Sequence, residues 1–306
     1  MTKKKSEKEF VEKWVRSRSC PPQTDEFKSR VERLQEKFKK REVKIFRPES
    51  EFPELIVVVP DSWNSIQLAP LFDVHIGSGD HDAELFARHL DWIERTPNVL
   101  TWNGGDMVEN ATKESPGASS LVQKGTPNQQ LFSAAKSLSA IQHKMLFAIP
   151  GNHEDRTFNV AGLDGAEQLA EHLKIPYFSD YAFITIKWRG NNFRGCVHHG
   201  AGGAQTPGAQ RNAARKDMPW TSFDFFWTGH LHQPMVDVVF RTDFDQATGR
   251  IYERNSVVII SPSYVKYFGG YAAKRRMAPG SRGLIAAELN ADGRIDISLH
   301  ARGRRI

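Results

Sequence analysis

Cysteine is almost missing from this chain: Cys20 and Cys196 are the two among 306 residues, far apart and in unlike surroundings. That excludes a disulfide framework and a CxxC zinc motif, and leaves a structural thiol as the ordinary reading of each. Long apolar runs are also missing. The longest, 55–59 and 257–260, are strand-sized, against the roughly 18 residues a membrane span needs. No membrane contact is expected. The chain opens Met1-Thr2-Lys3-Lys4-Lys5 without the apolar stretch of a secretory signal, so a cytoplasmic protein is the expectation. No internal repeat is visible. Hydrophobic residues at 39% and charged residues at 25% are ordinary for a folded domain, and the length allows one large catalytic domain plus an appendage.

The net charge of +6 is unevenly spread. Residues 1–48 carry ten Lys and six Arg against eight acidic residues, a surplus of eight, which leaves the other 258 residues at −2. The sequence therefore divides into a basic helical arm, 1–48, and a main domain, 49–306, with 48–53 as the linker. In the arm, Ser6 and Glu9 fit a capping box ahead of Phe10, Val11, Trp14 and Val15. Thr24 can cap a second helix whose Phe27, Val31, Leu34 and Phe38 form a narrow seam. That seam can pack on the main domain or on another chain, or it can present Arg30, Arg33, Lys37, Lys39, Lys40 and Arg41 to nucleic acid. Oligomeric state is not legible.

From residue 55 onward, short β-branched and aromatic runs alternate with helical patterns. Strands are expected at 55–59, 66–72, 99–102, 145–149, 183–188, 193–197, 223–227, 236–240, 257–260, 284–289 and 295–299. Helices are expected at 83–94, 129–143, 164–173 and 209–216. So many strands with intervening helices predict a layered α/β domain built around a β-sandwich.

Polar residues stand where those strands end. Asp73 and His75 follow 66–72; Asp106 follows 99–102; Asn152 and His153 follow 145–149; His198 and His199 follow 193–197; His230 and His232 follow 223–227. Ends of adjacent strands lie side by side, so residues distant in sequence can meet in one crevice. A mixed oxygen and nitrogen set without thiolate suits Mn, Fe, Zn or Co. Seven or so ligands exceed what one tetrahedral ion takes, which points to two divalent metal ions.

Taken in order, Asp73-Val74-His75, Gly105-Asp106, Gly151-Asn152-His153-Glu154, His198-His199-Gly200 and Gly229-His230-Leu231-His232 resemble the blocks of the calcineurin-like metallophosphoesterase superfamily. The resemblance spans about residues 65–235. It implies a four-layer α/β/β/α sandwich and two divalent ions, Mn foremost. It also implies roles: Asp73, His75 and His232 on the first metal, Asp106 bridging, and Asn152, His230 and one of His198 and His199 on the second. His199 is favoured because it precedes Gly200, and His198 is then left to the substrate. His153 matches the family's catalytic histidine, which stabilises the attacked phosphoryl group or protonates the leaving alkoxide. The stretch Gly105-Asp106-Met107-Val108-Glu109-Asn110 lacks the Arg that protein Ser/Thr phosphatases of this fold carry after the bridging Asp. Asn110 and Arg156 are the candidates to contact phosphate in its place.

The sequence reading is therefore a two-metal phosphoesterase acting on a phosphate-ester substrate, leaning to nucleic-acid phosphodiesters, a nuclease-like activity. A phosphomonoesterase or small-nucleotide phosphodiesterase is the alternative within the class, and a non-catalytic nucleic-acid or partner-binding protein the alternative outside it.

Overall fold

The structure, a computed structural model, describes residues 25–115, 122–268, 273, 276, 278–301, 304 and 305. The first arm helix, Cys20 and the Thr24 cap lie outside the described residues.

Two sheets carry the fold. One has seven strands in the order β1 (Lys44–Phe46), β2 (Glu54–Val58), β6 (Tyr181–Trp188), β7 (Asn191–His198), β8 (Phe225–Thr228), β10 (Ile251–Ile260) and β9 (Met235–Phe244). The other has six, in the order β13 (Arg304–Arg305), β12 (Ile295–Ala301), β11 (Gly283–Leu289), β3 (Ile66–Leu68), β4 (Val99–Asn103) and β5 (Met145–Ala148). Side chains alternate across a strand, and that alternation builds the layers. Phe225, Trp227, Val257 and Ile259 enter the core shared by both sheets, whereas their neighbours Phe226, Val258 and Ile260 pack on the outer side with Ala214 and Met218. Burial on both faces is what central parallel strands require, and β8 lies parallel to both β7 and β10.

Helices complete the layers. Against the six-stranded sheet pack α2 (Ala83–Arg95) and α5 (Gly165–Leu173); α1 (Asp25–Phe38) lies along β1, α3 (Pro127–Leu138) and α4 (Glu154–Ala161) pack on α5, and α6 (Pro207–Ala214) covers part of the seven-stranded sheet. The arrangement is the expected mixed α/β one, two sheets with helices outside. Local chemistry sets the helix starts: Thr126 and Gln129 form a capping box ahead of Pro127, and the Asp164 carboxylate accepts from Ala166 and Glu167 N–H groups.

The second arm helix takes the first of the alternatives open to its seam, packing on the main domain. Val31, Leu34 and Phe38 are buried in the main core. Arg30 pairs with Glu171 at 3.1 Å, Lys37 donates to the Leu173 carbonyl, and Arg41 donates to the carbonyls of Pro97 and Val99, both at 2.7 Å. Burial lowers the Lys37 pKa to about 8, with Lys174 and Arg33 adding to the shift. Three of the six cations that the seam could have presented to an anionic partner are thus spent inside the fold. Segment 48–53, read as a linker, instead joins the antiparallel pair β1 and β2. The expected strand 66–72 is interrupted after Leu68, because Pro70 has no N–H to give a ladder; pairing resumes where Leu71 N–H donates to Trp102 at 3.0 Å.

Candidate metal centre

Strands β3, β4 and β5 run parallel in one sheet, β7 and β8 in the other. Their C-terminal ends deliver every residue of the five sequence blocks to the same edge of the sandwich. The turns there are backbone-strained. Asp73, His75, Asp106, Asn110, His230 and His232 all adopt positive φ, between 48° and 64°, a left-handed conformation uncommon outside glycine that costs energy and gathers at functional sites. Two glycines make room. A Cβ on Gly151 would sit 2.1 Å from Asp106 Oδ1, and one on Gly229 would sit 2.5 Å from Asp73 Oδ2.

Two ligand groups are made of metal-assigned block residues alone; a third set, His75, Glu109 and His153, shares His75 with the first. In the first, His232 Nε2 lies 3.1 Å from Asp73 Oδ1 and 3.2 Å from His75 Nε2. In the second, His199 Nε2 lies 3.2 Å from Asp106 Oδ2, with the His230 ring alongside and His230 Nδ1 2.7 Å from Asn152 Oδ1. The groups adjoin: His75 Nε2 is 3.9 Å from Asp106 Oδ2, and His199 Nε2 is 3.9 Å from Asp73 Oδ1. Atoms sharing one ion at about 2.1 Å stand roughly 3.0 to 3.4 Å apart at octahedral or tetrahedral angles. The 3.1 and 3.2 Å separations match ligand edges, whereas His75 Nε2 lies 3.9 Å from Asp73 Oδ1; Asp73 and Asp106 both face the space between the groups. Asp73, His75 and His232 can hold one ion; Asp106, His199 and His230 can hold another.

Charge and hydrogen bonding favour cations here. Asp73 and Asp106 are fully buried, and buried carboxylates persist only when paired or metal-bound. Burial pushes the Asp73 pKa up, yet His232 and His199 hold it below the ordinary value. His199 likewise overcomes burial at Asp106 and keeps it well below the usual carboxylate range. In return, against the opposing effect of burial, Asp106 and Asp73 lift His199 to about 10. The histidines stand in as the positive charge the carboxylates need. His199 Nε2 is buried and not aligned for a hydrogen bond, an orphan aimed at the site. Around His230, both neighbours are acceptors: Asn152 Oδ1 at Nδ1 and the Gly202 carbonyl at Nε2, each at 2.7 Å. Burial lowers the pKa of His230, and a neutral imidazole has a single N–H. A cation at Nδ1 satisfies the arrangement.

His153 sits beside this space, its Nε2 3.8 Å from Asp106 Oδ2. Its Nδ1–H donates to the Glu109 carbonyl at 2.8 Å and its Nε2 accepts from Arg156 at 2.9 Å. Burial brings its pKa down to about 4, so the ring is neutral at pH 7 and carries its proton on Nδ1.

The structure sets all three residues expected at the substrate against protein partners. Asn110, expected to contact phosphate, donates from Nδ2 to the His153 carbonyl at 2.7 Å and to Thr157 Oγ1 at 2.9 Å; its amide hydrogens are spent bracing the turn. Arg156, expected as a phosphate clamp, is committed to Glu109 and His153. His198, expected at the substrate, points to the other face of the sheet, 2.9 Å from Asp217 and beside Tyr181. Successive residues of a strand face opposite ways, so His199 at the site puts His198 away from it.

Two carboxylates escaped assignment in the sequence. Glu109 lies 3.4 Å from His75 Nδ1 and 3.2 Å from Arg156; despite burial, His75 draws its pKa down to about 2, with help from His153 and Arg156. A carboxylate behind a metal-binding imidazole fixes ring orientation. Glu154 accepts four backbone N–H groups, from Asp106 and Gly151 at 2.9 Å through one oxygen and from Met107 and Val108 through the other. It ties the turn bearing Asp106 to the turn bearing Asn152. Burial, reinforced by Asp106, raises its pKa to about 7 while those N–H groups pull the other way. Each carboxylate sits within a quoted block, three residues after a ligand or turn glycine, but only proximity in space reveals its task.

No protein-family model matches the chain, and no curated protein matches it. Among solved structures, it is similar to a metallophosphoesterase from Sphaerobacter thermophilus, with 15% identity over 78% of this chain and 88% of that one and a TM-score of 0.37. It is also similar to a conserved uncharacterized protein, a predicted phosphoesterase, from Streptococcus pneumoniae TIGR4, with 9% identity over 80% and 98% and a TM-score of 0.36. Likenesses this distant decide nothing about chemistry, which is read from the side chains.

Proposed function

We propose that the protein is a two-metal phosphoesterase acting on a phosphodiester. The observation that carries this reading is the pair of adjoining ligand groups, with Asp73 and Asp106 facing both. Two divalent ions, Mn foremost, would supply Lewis acidity and a nucleophile from water at neutral pH. Asp73, His75 and His232 would hold one, and Asp106, Asn152, His199 and His230 the other. His153 stands at the edge, with its Nε2 turned toward Asp106 Oδ2. An arriving phosphoryl anion would favour its protonated form, and displacement of Arg156 from Nε2 would free that atom to give a proton to the leaving oxygen. Glu109, through its carbonyl, keeps the Nδ1 side of the ring fixed.

A diester is favoured over a monoester because the cation nearest His153, Arg156, is already paired with Glu109; a dianionic monoester asks for a further positive partner. The inward-turned Arg30, Lys37 and Arg41 favour a small diester over a long nucleic acid. The test is a panel of metals against a bis-aryl diester, an aryl monoester and oligonucleotides. Metal-stimulated cleavage of the diester, faster than of the monoester and abolished by chelation, is expected. Absence of any metal-stimulated hydrolysis, with two ions bound, would reject the reading.

A further inference from the structure

Strand β9 reverses the usual pattern of an edge strand. Its charged side chains lie on the face away from the core, where Asp237 meets Arg211 of α6 at 2.8 Å and Arg241 donates to the carbonyls of Thr221 and Met218. Its apolar ones point to solvent: Val236, Val238, Phe240 and Phe244 are 46, 59, 58 and 65% exposed, and Ile251, paired with Phe244, is 66% exposed. This face is the continuation of the core. Val238 pairs with Val257 and Val236 with Ile259, on the same face, and both partners are buried between the sheets. One strand further out, the covering sheet no longer reaches. The outer edge of β9 is also open, since no strand pairs with it among the described residues. Edge strands of soluble proteins normally carry charge or a cover on such a face.

We infer that this face is the interface between two copies of the chain, packed hairpin on hairpin across a twofold axis. Five such side chains expose on the order of 500 Å², the size at which an apolar patch marks an interaction site. Doubled across a twofold and enlarged by its rim, that area reaches the roughly 1,000 Å² a specific interface needs. A second copy is the fitting occupant. The face holds one charged residue, Glu253, opposite Thr242 toward the hairpin end, so it carries no charge pattern to select a different partner. A twofold contact requires only that one patch meet itself.

The test is sedimentation of the full chain from 1 to 100 µM, with Val238→Lys and Phe240→Glu as variants. The wild type is expected at twice 34.6 kDa, and each variant at monomer mass, its dimer weakened by at least about 30-fold. Circular dichroism should be unchanged, because both side chains are more than half exposed. A Val238→Cys variant, oxidised, should also trap a covalent dimer more efficiently than Asp292→Cys, on the exposed turn between β11 and β12 of the other sheet. A wild type that stays monomeric at 100 µM, a dimer indifferent to both charges, or equal trapping at both cysteines would overturn the inference.

Discussion

The Nε2 atoms of His75 and His232, 157 residues apart in sequence, stand 3.2 Å from each other. One ring can donate to the other at that distance, and two ligands of one ion also meet there, here with Asp73 Oδ1 3.1 Å from His232 Nε2 as the third donor atom. Replacing either by Ala should remove one ion and leave the other, because the second group keeps Asp106, His199 and His230. Metal analysis after dialysis is expected to fall from two ions per chain to one, with diester hydrolysis down by roughly 100-fold or more. Unchanged metal content in both variants would contradict the assignment.

Gly151→Ala tests the close approach on the Asp106 side. Its Cβ would lie 2.1 Å from Asp106 Oδ1 and 2.4 Å from the Asp106 nitrogen. The carboxylate must move, so metal affinity is expected to drop at least about 10-fold. Isothermal titration with Mn²⁺ measures it.

Glu109→Gln separates orientation from ligation. Gln keeps the shape but loses the charge that faces His75 Nδ1 and Arg156. Binding of both ions should persist, with affinity at the His75 side reduced about 10- to 100-fold and turnover reduced as His153 and Arg156 loosen. An inactive variant with wild-type affinity at both sites would assign Glu109 to the reaction itself.

Acid should weaken the fold through His89. Burial brings its pKa to about 4, against 6.5 for the free side chain, with His300 and Arg88 adding to the shift; its Nδ1 contacts Tyr264 Oη at 2.8 Å. As pH falls below 6.5 the unfolded chain takes up this proton first, so stability is lost between pH 6.5 and 4 and is fully present above. Between pH 7 and pH 5 the contribution is about 2 kcal/mol. Urea unfolding at both pH values should show that loss reduced by a similar amount in His89→Gln.

Much of the site was legible because its grammar is local. An apolar strand, a tight turn with glycine, and then Asp, Asn or His announce a strand end with a ligand on it, and five such endings are brought to one edge by the parallel order of β3, β4, β5, β7 and β8. What stayed hidden depends on facing. The His198 and His199 doublet could be resolved only by knowing which residue of β7 turns inward. Asn110 and Arg156 have the right chemistry for phosphate, yet nearer partners in space consume it. The basic arm left open whether it packs or presents its charges, because the partners of Arg30, Lys37 and Arg41 are carbonyls and Glu171, far along the chain. The β9–β10 hairpin runs longer than its apolar centre because polar residues 241–243 and 253–256 still pair.

The most direct measurement is anomalous diffraction from crystals soaked in Mn²⁺. Two peaks about 3.5 to 4 Å apart are expected, one bounded by Asp73, His75 and His232 and the other by Asp106, Asn152, His199 and His230. A single peak, or none within reach of Asp106, would contradict a two-ion centre.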